Sequence, residues 1–76
     1  MINMFTLTIR GFKNKSQLLD TANLLYNTKI DQDNLILQVL RIEHNDKAHK
    51  LGEWIIKGID KTKELYYDVT EHGNEI

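Results

Sequence analysis

Two of the three histidines in this 76-residue chain lie close together. His44 and His49 sit among Glu43, Asp46 and Glu53 and near the single tryptophan, Trp54. Imidazoles and carboxylates at short spacing are the raw material of a metal site. On a helix, however, five residues turn through about 140°, so His44 and His49 point apart. His49 and Glu53 are four residues apart and share a face, which gives one cation two ligands, with His72 as a distant third. A structural zinc site wants four, and two ligands on an exposed helix face bind weakly. No metal and no other cofactor is expected.

Nucleophilic chemistry has equally little to work with. Ser16 is the only serine, it stands at a helix start, and the chain has no cysteine. Neither a Gly-x-Ser-x-Gly elbow nor a glycine-rich phosphate loop occurs. Asp31 and Asp33 are close in sequence but belong to a polar loop, whereas general acid–base catalysis needs a pocket that shifts a pKa. A chain of this length has a thin core. The expectation is a protein that is not an enzyme.

Composition narrows the class further. Hydrophobic residues make up 41% and charged residues 28%, close to globular averages and unlike a disordered chain. Ten basic and eleven acidic residues give a net charge of −1, and no block of like charge marks a nucleic-acid or lipid footprint. The opening MINMFTLTIRGF lacks the basic and apolar regions of a signal peptide. No apolar run reaches the ~18 residues of a membrane span, so a cytoplasmic location without membrane contact is expected. Ile, Asn and Lys supply 24 residues and Ala only two. That usage fits AT-rich coding DNA, as in a low-GC bacterium or its phages and mobile elements.

These side chains must be positioned by a small set of elements in one domain spanning residues 1–76. Residues 4–10, MFTLTIR, alternate: Phe5, Leu7 and Ile9 face one way, Thr6, Thr8 and Arg10 the other. This is a half-buried strand, closed by Gly11. Residues 14–28 read as a helix with Asn14 as N-cap and Gln17 in the capping-box position, Ser16 being the rival cap. Leu18, Leu19, Ala22, Leu25 and Tyr26 fall in an apolar arc of about 120°, and Leu24 falls off it. Residues 30–34 form a polar loop.

Residues 35–44, LILQVLRIEH, are apolar on both faces if extended, with Gln38 and Arg41 as interruptions. A strand is favoured, since it suits the centre of a small sheet. A helix with Asp33 as cap is the alternative, and periodicity alone does not separate the two. A second helix covers about 46–58, capped by Asn45 or Asp46. Ala48, Leu51, Gly52, Ile55 and Ile59 share its inner side. Gly52 lets its backbone approach the sheet, Trp54 lies at the border, and Gly58 marks the stop. Residues 64–70, ELYYDVT, alternate again as a third strand, and 71–76 form a loose tail.

The expected fold is therefore α+β, ordered β-α-β-α-β, with a three-stranded sheet and both helices on one face. The alternative is β-α-α-α-β, with residues 34–44 helical. Two helices shield one sheet face, so half of the apolar middle strand is left uncovered. Contiguous exposed apolar surface marks an interface, and tryptophan and tyrosine are frequent anchors. The candidate partner-binding residues are Leu24, Ile36, Leu40, Trp54 and Tyr66. The role they imply is a small protein-binding module, acting as a homodimer or as a regulator or inhibitor. The alternative is a nucleic-acid-binding module that uses Arg10 and Tyr66 on the open sheet face.

Overall fold

The computed structural model describes residues 4–59 and 64–72. Residues 73–76 of the expected tail lie outside the described residues, as does the side chain of Ile59. The elements run β1 (Met4–Arg10), α1 (Lys15–Ala22), β2 (Thr28–Asp31), β3 (Ile36–Ile42), α2 (Asn45–Ile59) and β4 (Tyr66–His72). The strands form one antiparallel sheet in the order β2-β3-β1-β4. This is the α+β class with two helices, in the split βαβ order known as ferredoxin-like.

The sheet has four strands rather than the expected three. The extra strand is β2, formed by Thr28–Asp31, where the sequence reads as the end of a helix and the start of a polar loop. β2 is extended because each of its residues pairs with β3, from Thr28 opposite Val39 to Asp31 opposite Ile36. Residues 36–42 are a strand, so the arrangement with a helix there does not hold. β4 runs two residues past the expected boundary: Glu71 and His72 pair with Phe5 and Met4 instead of starting the tail.

α1 begins as its caps require. Asn14 is extended, its side-chain oxygen accepts from the Gln17 N–H at 2.9 Å, and Gln17 Oε1 accepts from the Lys13 N–H at 2.8 Å. The orphan Gln17 N–H of the first turn is thus satisfied, and the Gln17 side chain bonds the backbone one residue before the cap, at Lys13, rather than the Asn14 N–H of a capping box. The helix stops at Ala22, six residues earlier than its apolar spacing suggests. Leu24 and Leu25 donate to Thr21 and Ala22, three residues back. Such tightened bonds end a helix. Asn27 then takes φ +55° and turns the chain into β2.

Leu18 and Ala22 of α1 and Ile55 of α2 share one buried cluster with Leu7, Ile9 and Leu37 of the sheet. Both helices therefore cover the same sheet face. Val39 of β3, Phe12, just past β1, and Leu65, just before β4, complete that cluster. At about 25 cal/mol per Å² of apolar surface removed from water, this cluster is the main source of stability. The opposite face carries Thr6, Thr8 and Arg10, standing across from Thr70, Asp68 and Tyr66. The middle strand presents less apolar surface there than expected, because Gln38 stands opposite Thr8. Thr6 and Thr8 are themselves buried, their short side chains shielded by the strands on either side.

Candidate protein-binding groove

The early end of α1 has a consequence at the surface. Residues 24–27 leave the helix axis and pass beside the end of β3, facing α2. Together with residues 39–42 of β3 and with Leu51 and Trp54 of α2, they line an open groove of about 510 Å³. Leu24 is 60% exposed, Tyr26 88% and Trp54 55%. These are three of the five large hydrophobic residues that the described surface exposes, and all three border this one groove. Among the described residues, the fixed charge lining it is that of Arg41.

Arg41 sits in a distorted part of β3. Phe5 pairs with Ile42 and Leu7 with Val39, so Leu40 and Arg41 both stand across from Thr6. That is a β-bulge, one extra residue on one strand. Arg41 has φ +59°, a left-handed conformation that side chains other than glycine adopt at a cost of about 1–2 kcal/mol. Asn27, also lining the groove, has φ +55°. Leu40 N–H donates to the Asn27 carbonyl at 2.8 Å, which ties the two sides of the groove floor together.

Of the five expected partner-binding residues, the structure brings three together: Leu24, Leu40 and Trp54 line the groove. Ile36 and Tyr66 lie elsewhere, on the open sheet. Ile36 stands opposite Asp31 and borders a shallow depression of about 190 Å³ with Arg10, Lys29 and Gln38. Tyr66 is 55% exposed and pairs with Arg10 at the sheet edge. Sequence reasoning missed Tyr26, assigning it to the buried helical arc. The signal that would have found it is the bracket of Asn23 and Asn27 around LLY, two helix-terminating residues enclosing three apolar ones.

The histidines and carboxylates play other parts. His49 is exposed, and its Nδ1 lies 3.2 Å from the Tyr67 hydroxyl, with the rings edge to face at 5.7 Å. Among the described residues, no three His, Asp or Glu side chains converge as metal ligands. Asp31 organises the β2–β3 turn: Oδ2 accepts from Asn34 Nδ2 at 2.8 Å, and Oδ1 accepts from the Asn34 and Asp33 backbone N–H groups at 3.1 Å. The side-chain bond from Asn34, then the backbone bonds, hold the Asp31 carboxyl below its ordinary pKa.

No protein-family model, curated protein or solved structure matches the chain significantly. No helix among the described residues is long and apolar enough to cross a membrane. The shared strand order with ferredoxin-like domains carries no function, since that order hosts many unrelated ones.

Proposed function

We propose that this chain is a non-enzymatic protein-binding module, a small regulator or inhibitor in type, that engages its partner through the groove at Leu24, Tyr26 and Trp54. One observation carries the proposal: three exposed large hydrophobic residues from two separate segments border a single groove. Single exposed apolar residues are ordinary. Their convergence beside a tryptophan and a tyrosine is what interface anchors look like. Apart from Arg41, Asn27 and the Tyr26 hydroxyl, the groove's described lining is apolar, which suits contact with another protein's side chains.

The nucleic-acid reading has Tyr66 beside Arg10 in its favour. Against it stand the two central strands, where the open face presents Thr6, Thr8 and Gln38 rather than aromatic rings on which bases stack. Asp31 and Asp68 also lie on that face and repel phosphate.

A photo-crosslinking amino acid placed at position 26, and separately at position 70 on the open face, tests the proposal in cells. The expected result is a discrete protein adduct from position 26 that disappears in Trp54→Ala. Adducts from position 70 alone, or salt-sensitive nucleic-acid binding that Trp54→Ala leaves intact, would overturn it.

A further inference from the structure

We infer that the occupant of the groove is an acidic amphipathic helix of another protein, and not a second copy of this chain. The inference rests on reading the groove as the docking surface, and it names the partner's chemistry.

The first support is charge placement. The chain as a whole carries −1, yet the charge lining the groove is a cation and lysines of α2 lie at helical spacing from its apolar residues. Arg41 lines it directly. On α2, Lys47 precedes the groove-lining Leu51 by four residues, and Lys50 precedes Trp54 by four, so each lies one turn from an apolar contact residue on the same face. Lys57 follows Trp54 by three. Arg41, Lys47, Lys50 and Lys57 are all exposed. At 3.6 residues per turn, Lys47 falls between Trp54 and Leu51, Lys50 and Lys57 fall about 40–60° from Trp54 on the side away from Leu51, and Asp46 and Glu53 lie farther out on that side, about 80–100° from Trp54. Glu43 and Glu53 each adjoin a groove-lining residue along the chain, but neither is among the lining residues.

The second support is the backbone at Arg41. The bulge position holds φ +59°, where glycine would be free of strain and is the usual occupant. The chain places a guanidinium there instead. A residue kept in a strained conformation at a surface groove points to a use for its side chain, and a guanidinium is the group best shaped to grip a carboxylate.

Together these select the occupant. In a two-fold dimer the same patch meets itself. Arg41, Lys47 and Lys50 would face their own copies, and like charges across an interface are costly. An acidic partner turns the same cations into an attraction. The partner's shape follows from the lining. Leu40 N–H is already bonded to Asn27, and side chains of a helix, a strand end and a connecting segment form the walls. Such a surface receives the apolar anchors of a helix, spaced i, i+3/i+4 and i+7, rather than adding a strand to a sheet edge.

The test is selection of a random-sequence peptide display library against the full chain, followed by titration calorimetry on the enriched peptides. The expected peptides combine leucine or aromatic anchors at helical spacing with a net negative charge. Their affinity should drop by about tenfold or more in the Lys47→Glu, Lys50→Glu double variant and fall steeply with added salt. Arg41→Gly should weaken binding while leaving the unfolding temperature unchanged or higher, a separation that loss of fold would not produce. Enriched peptides without acidic bias, dependent on Trp54 but indifferent to the lysines, would overturn the acidic partner and leave the groove assignment standing. Concentration-dependent self-association abolished by Trp54→Ala would overturn it in favour of a second copy. A selection yielding no Trp54-dependent peptide would overturn the groove assignment itself.

Discussion

Gly52 of α2 and Tyr67 of β4 are in contact through an absence: a Cβ built at position 52 would lie 2.7 Å from the Tyr67 ring. The ring therefore rests against bare helix backbone, and its hydroxyl reaches His49 one turn away. This contact sets how closely α2 lies over β4.

Gly52→Ala is expected to destabilise the protein. Alanine favours a helix by about 1 kcal/mol over glycine, but overpacking a tight contact costs about 1–3 kcal/mol, and Tyr67 has to move. Gly58, in the same helix, has nothing within 4 Å of its would-be Cβ, so Gly58→Ala should stabilise by roughly 0.5–1 kcal/mol. Urea unfolding of the two variants should give shifts of opposite sign. Equal gains from both would show that Gly52 is not tightly packed.

Gly11 has φ +96°, and a side chain there would collide with the Glu64 carbonyl oxygen. Gly11→Ala combines backbone strain with a clash and should cost roughly 2 kcal/mol or more. Thermal unfolding checks this; a Tm within a degree or so of the parent would contradict the close approach of the β1 and β4 connections.

Arg41→Gly should raise stability by about 0.5–1 kcal/mol, because the bulge position is left-handed. A fall of the same size in denaturant unfolding would mean that the arginine side chain contributes packing that outweighs the strain.

Asp31 carries a pH prediction. Its folded pKa is depressed by the Asn34 side chain and then by backbone donors. The contribution is therefore present above the unfolded carboxyl's ordinary pKa of 3.8, and it is lost as pH falls through the lower folded value. Asp31→Asn should flatten the loss of Tm between about pH 5 and pH 2. The group is fully exposed, so the change should be small. An unchanged acid limb would contradict the turn geometry.

Much of this fold is legible in the sequence, and the exceptions have physical causes. β1 and β4 alternate because one face packs toward the helices, and α2 shows its inner stripe and the role of Gly52. β2 is illegible because four residues, TKID, contain one large apolar side chain, Ile30. Its extended form comes from pairing with β3, not from its own preference. α1 looks too long because Leu25 and Tyr26 keep helical spacing past the point where three-residue bonds have ended it. That same error hides the groove: Leu24 and Trp54 are recognisable as off-stripe residues, but their meeting with Tyr26 depends on the turn that Asn27 makes. On the sheet face that the helices leave uncovered, Tyr66 is exposed and Ile36 half-buried, and Gln38 and the buried threonines make that face more polar than a two-sided apolar strand suggests.

The most direct measurement is partner binding by Leu24→Asp and Trp54→Ala, made alongside thermal unfolding of the same proteins. Both side chains are more than half exposed. Each substitution should therefore change stability by no more than about 0.5–1 kcal/mol while lowering affinity at least tenfold, as loss of an anchor of about 2 kcal/mol requires. Full binding by both folded variants would contradict the central claim that this groove is the surface through which the protein acts.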